Sequence, residues 1–224
     1  MKRRGRWGAL VTLAGGLVVS AAVLGWARGA QAQTEQPAQA QRSGEVVEGD
    51  QESRGEMVRP LEELALEVNQ DRRLRTSRAM GVLLGWSALN LGVGAVGYAR
   101  TDGSERYFYE MTMAWNAVNA AIAGVGLVGA RREDPAEFDA LQTLEEGRSL
   151  EKILLINMGL NVGYMAAGMF LRERGMRTDD DRLRGYGPAV VGQGAFLLIF
   201  DTTLFSLQRR ASNRYRDELR WRLF

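Results

Sequence analysis

A chain of 224 residues is long enough for one domain of ordinary size, and 46% of it is hydrophobic against 25% charged. It holds no cysteine and no histidine. That excludes disulfides, thiol nucleophiles, Fe–S clusters, Cys-ligated zinc, imidazole-bound haem, Ser-His-Asp catalysis and Glu-x-x-His di-iron sites. Residues 1–32 carry Lys2, Arg3, Arg4, Arg6 and Arg28 and no acid, which leaves 24 basic against 27 acidic residues in the rest. The formal charge of +2 is therefore a property of the N-terminus, and global charge offers nothing to nucleic acid.

Residues 1–32 read as a signal peptide. A basic start precedes an uncharged apolar run from Trp7 to Trp26, and Ala30-Gln31-Ala32 supplies the small residues a signal peptidase needs. The length of the apolar run leaves an uncleaved anchor as the alternative. Residues 33–57 are rich in Gln, Glu, Ala, Gly and Ser and nearly free of large apolar side chains; they bury too little to offset ordering entropy and are expected to be a disordered tether. Over 58–78 the pattern predicts an amphipathic helix. Pro60 falls in its first turn, Leu61, Leu64, Ala65 and Val68 lie on one face, and Glu62, Glu63 and Glu67 lie opposite.

Four apolar segments follow, 79–99, 107–130, 153–171 and 185–208, each bracketed by arginines. At the helical rise each covers about 30 Å, the thickness of bilayer hydrocarbon. Tyr98, Tyr107, Tyr109 and Tyr186 fall on the membrane face that carries the first and third connections, as in an aromatic belt. Asp201 near a bilayer centre costs about 3 kcal/mol, and the ten Val, Leu, Ile and Phe residues from 190 to 207 return roughly 4.5, so insertion wins narrowly. In the second connection Asp134, Pro135 and Glu137 read as a helix start. The run Asp179-Asp180-Asp181 reads as a solvated charge cluster, and the basic tail 209–224 as an interfacial helix.

The fold class expected is all-α: a four-transmembrane-helix bundle in 79–208, built from two related helical hairpins. Leu83-Leu84 and Leu89-Asn90-Leu91-Gly92 with Gly97 recur as Leu154-Leu155 and Leu160-Asn161-Val162-Gly163 with Gly168, at a constant offset of 71 residues. Orientation sets two rules against each other. A signal peptide puts both termini outside, whereas the outer flanks then carry more basic residues than the inner connections. Because the first translocation event dominates, both termini are expected outside.

Polar residues within the segments are the candidate functional residues. Thr112, Asn116, Asn119, Ala123, Gly126 and Ala130 form one narrow stripe; Asn157 and Asn161 share a face of the third segment, Asn90 lies on the first, and Gln193 and Asp201 lie on the fourth. An amide facing lipid costs several kcal/mol, so these side chains must point at other helices. Counting from segment midpoints pairs Asn157 with Asp201 and Asn90 with Asn116. Asp201 with Asn90, Asn116, Asn119, Asn157, Asn161 and Gln193 would be either interhelical glue or the lining of a solute or proton pathway.

The strings Trp115-Asn116-x-x-Asn119, Leu160-Asn161-Val162-Gly163-Tyr164, Arg184-Gly185-Tyr186-Gly187 and Gln193-Gly194-Ala-Phe-Leu-Leu-Ile-Phe-Asp201 resemble those of a family of uncharacterised bacterial four-helix integral membrane proteins, over about residues 60–210. The resemblance implies four spans and marks these polar positions, and it implies no activity. The expectation is a non-enzymatic multi-pass protein of a bacterial inner membrane with a periplasmic N-terminal tether. It has no catalytic residue, metal or cofactor. Its partners are the lipid bilayer and another membrane or periplasmic protein or a second copy, with no nucleic acid.

Overall fold

A computed structural model describes the backbone of residues 48–223 and the side chains of 60–222. The signal peptide assigned to 1–32 and the first part of the tether, up to residue 47, lie outside the described residues. The chain divides into two units, Met1–Asp50 and Gln51–Phe224, and the second holds the packed helices.

Four long α-helices make up the described residues: α1 (Glu48–Arg100), α2 (Gly103–Arg132), α3 (Ala140–Thr178) and α4 (Asp181–Leu223), with a three-residue 3₁₀ turn, Pro135–Glu137, between α2 and α3. Each carries a stretch long and apolar enough to cross a membrane, and only 17 to 28% of each stretch is buried inside the protein. Val93, Val125, Ile156 and Ile199 are among the side chains turned outward.

Helix α1 begins upstream of the expected start, so residues 48–57 of the segment read as a tether are helical and Pro60 stands inside the helix rather than in its first turn. The amphipathic face is as read: Ala65 is fully buried, Leu61, Leu64 and Val68 are partly buried, and Glu62, Glu63 and Glu67 are exposed. The basic tail is no separate interfacial helix. It continues α4 without a break, burying Ser212 and Tyr215.

Local chemistry sets the turns. Gly103 opens α2 at φ +58°, which suits a residue without Cβ. Asp179 closes α3 in the left-handed region at φ 52°, and Asp180 Oδ1 accepts from the backbone N–H groups of Arg182 (3.0 Å) and Leu183 (3.2 Å) at the start of α4. The aspartate run therefore ends one helix and caps the next. Asp134 caps only the 3₁₀ turn. The start of α3 is Asp139, whose carboxylate accepts from Leu141 N and Gln142 N at 2.8 Å while Gln142 Oε1 accepts from Asp139 N at 3.1 Å. This reciprocal pair satisfies more orphan N–H groups than Asp134 and Glu137 could, so the helix starts there.

Glycines set the helix spacing. A Cβ at Gly168 would lie 2.7 Å from Gly187 O, and one at Gly175 would lie 2.6 Å from Arg184 N, so α3 and α4 run antiparallel in backbone contact. Gly185 brings the start of α4 against Ser104 and Phe108 at the start of α2, which runs parallel to it. Elsewhere a methionine fills the groove a glycine leaves: Met113 at Gly94, Met80 at Gly126 and Met165 at Gly194. An unbranched thioether chain adapts to such irregular gaps.

Candidate functional site

The buried face of α2 is Thr112, Asn116, Asn119, Ala123, Gly126 and Ala130, the stripe that the 4-3-4-3-4 spacing picks out. Polar side chains within the apolar stretches form three groups.

The first joins α3 and α4. Asn161 Nδ2 donates to Asp201 Oδ2 at 2.7 Å, and both residues are buried. No cation pairs with Asp201 among the described residues. The expected partner, Asn157, is only half-buried and makes no side-chain hydrogen bond among the described residues. The correction has a geometric cause. Side chains on a helix tilt towards its N-terminus. On antiparallel helices Asp201 and Asn161 therefore lean towards each other, and Asn157 leans away. Counting Cα levels alone misses one helical turn.

The second group joins α1 and α4. Gln193 Oε1 accepts from Trp86 Nε1 at 3.3 Å, and Gln193 Nε2 donates to Asn90 Oδ1 at 3.4 Å. Asn90 Nδ2 donates in turn to the Trp86 carbonyl at 2.9 Å. The Trp86 indole lies flat on Phe196, centroids 3.9 Å apart, so stacking holds the donor in place. Asn90 is thus a partner of Gln193 and not of Asn116. Similar depth did not decide which helix the amide faces.

The third group lies on α2 alone. Asn116, fully buried, donates to the Thr112 carbonyl at 2.8 Å. Thr112 Oγ1, Asn116 Oδ1 and Asn119 Nδ2 are buried without a protein partner. Trp115 meets Tyr164 of α3 edge-on at 5.0 Å.

At the end of the bundle bearing the first and third connections, Glu110 accepts from Tyr186 Oη at 2.6 Å and pairs with Arg182 Nη2 at 3.5 Å. Arg182 Nε donates to Tyr186 Oη at 2.9 Å, and Tyr107 packs edge-on against Tyr186. Nearby, the Arg106 guanidinium lies 4.4 Å over Tyr98. This ring of aromatic and basic side chains is where the tyrosines read from sequence come together.

Sequence reading missed a polar group at the other end. Asn69 Nδ2 donates to Thr143 Oγ1 (2.9 Å) and to the Pro135 carbonyl (3.3 Å), and Tyr215 Oη donates to the Ala140 carbonyl (2.9 Å). Arg72, buried, donates to Glu133 at 2.8 Å and lies 4.7 Å over the Phe138 ring. A signal was present: Asn69 and Arg72 continue the buried stripe of Ala65 and Val68 at helical spacing. Among the described residues no group of three or more Asp or Glu side chains is placed to hold a metal ion.

A family model described as a family of unknown function, DUF6992, matches residues 82–202. That range takes in all three polar groups of the apolar stretches and ends one residue past Asp201. No curated protein matches the chain, and no solved structure does.

Proposed function

The chain belongs to DUF6992, a family of unknown function, and from that footing we propose that it is a non-enzymatic structural or partner-binding protein of a bacterial inner membrane, its polar side chains serving to lock helices together. The observation that carries this reading is how those groups are used. Asp201 is bonded to Asn161, and Gln193 bridges Trp86 and Asn90, each across a pair of helices. Interhelical bonds of this kind contribute about 0.6 to 2 kcal/mol each and specify which faces meet.

The arrangement as two related hairpins has support in equivalent residues. Leu83 and Leu154 are both buried, and Gly97 and Gly168 each receive the following helix, at the Tyr109 ring and at Gly187 respectively. On this reading both termini face the periplasm. The partner, another membrane or periplasmic protein or a second copy, would meet the lengths of α1, α3 and α4 that extend past the lipid.

One observation favours conduction as the second reading: three buried polar atoms on α2 lack protein partners and would bind water in line. Asp201→Asn in proteoliposomes separates the two. Unchanged proton leak and solute flux support the structural reading; loss of a flux or of a pH response that the wild type shows overturns it in favour of conduction.

A further inference from the structure

At the ends of the apolar stretches α1, α3 and α4 continue side by side, α4 from Gln208 onward, and frame a partly open cavity of about 10 Å³, lined by Asn69, Arg72, Arg75, Gly147, Gln208 and Ser212 among others. A volume of that size holds one water-sized or halide-sized occupant and nothing larger. Its walls are built of polar groups removed from solvent: Asn69 is fully buried and Arg72, Gln208 and Ser212 are each at least nine-tenths buried.

The charges on these walls do not balance. Arg72 uses Nη2 on Glu133, and its Nη1 is buried with no partner. Arg75 makes no ion pair among the described residues, and its Nε is likewise buried and unbonded. Gln208 Nε2 donates to Ser212 Oγ at 3.3 Å, which leaves the hydroxyl hydrogen free to turn into the cavity. The unpartnered acceptor on the wall is Asn69 Oδ1, whose amide nitrogen is committed to Thr143 and Pro135. Two guanidinium groups thus face a small space: Arg72 is paired with Glu133, while Arg75 is desolvated by burial and feels the Asp71 carboxylate only through space, without an ion pair. A desolvated cation without a bonded counter-charge is costly.

We propose that this cavity is a binding site for a single small anion of halide size, held between Arg72 Nη1 and Arg75 Nε and flanked by Ser212. Gly147 makes the room: a Cβ there would lie 3.1 Å from Ser212 Oγ and 3.3 Å from Gln208 Nε2. The site joins the three helices at the ends of the apolar stretches, so its occupancy governs how firmly their ends hold together. It does not rest on either reading of the Asp201 group.

Thermal unfolding of the full chain in neutral detergent tests the proposal, with sodium chloride or bromide compared to sodium gluconate at matched ionic strength. Chloride and bromide should raise the midpoint by a few degrees, saturably with concentration, and gluconate, too large for the cavity, should not. Arg75→Gln should remove the halide response, and Arg148→Gln, at an exposed position, should keep it. Where Arg75→Gln does not fold, chloride NMR line broadening by the wild type, abolished in Gly147→Ala, carries the test. Equal midpoints in chloride and gluconate, a full halide response in Arg75→Gln, or no chloride broadening each overturns the proposal and leaves the cavity to water.

Discussion

Asp201 is the residue whose environment says most about the molecule. Its carboxylate lies in an apolar stretch with one amide donor, Asn161, at 2.7 Å. Replacing the donor leaves the acceptor desolvated and unpaired, whereas replacing Asp201 by an amide keeps the shape and most of the bonding. Asn161→Leu should therefore destabilise by about 1–3 kcal/mol, and Asp201→Asn should stay within about 1 kcal/mol of wild type, both read from unfolding in mixed detergent micelles. Asn157→Leu, at a half-buried position without a side-chain bond, should do little. At this scale the sequence told which residues are polar and inward-facing but not which pairs form. A hydrogen bond depends on side-chain lean and on the facing helix, and neither is encoded in spacing along one helix. Helical spacing puts Trp86 on one face with Asn90, Gly94 and Gly97, but it does not say that the indole N–H meets Gln193 on the facing helix.

Between helices, glycine controls distance, and the positions divide into two kinds. At Gly168 and Gly185 a Cβ would collide with backbone atoms of a neighbouring helix; at Gly85 and Gly159 it would meet nothing within 4 Å. Gly168→Ala and Gly185→Ala should each cost about 1–3 kcal/mol by forcing helices apart, while Gly85→Ala and Gly159→Ala should change stability by less than about 0.5 kcal/mol. The same unfolding assay checks all four. Asp139→Ala removes the cap of α3 and should cost about 1 kcal/mol. Element identity was legible because arginines bracket each apolar stretch and the buried stripe of α2 follows helical spacing. Boundaries were not: a Pro inside α1 and an Asp-Pro pair before α3 both look like helix starts, and only the reciprocal Asp139–Gln142 bonding decides the second.

For the whole molecule, what matters is which solvent touches which part. Helix α2 spans 30 residues, α3 39 and α4 43, or roughly 45, 58 and 64 Å at 1.5 Å per residue, against about 30 Å of hydrocarbon. The surplus of α3 and α4, with that of α1, lies at the end that holds Asn69, Arg72 and Tyr215. Sequence reading split this part into an amphipathic helix, a connection and a tail, because amphipathic patterns reveal a buried face without naming what it packs on. A chain ending at residue 208 should still insert but melt at a lower temperature, since it loses the buried Ser212 and Tyr215. The absence of native cysteine permits the most direct measurement of the solvent boundary. Single cysteines carrying nitroxide labels at Val93, Val125, Ile156 and Ile199, and at Leu74, Leu141 and Trp221, place probes at outward positions in and beyond the apolar stretches. In lipid vesicles the first four should collide with dissolved oxygen far more than with an aqueous nickel chelate, and the last three should show the reverse. Free collision of the nickel chelate with labels at Val93, Val125, Ile156 and Ile199 would contradict four helices immersed in lipid.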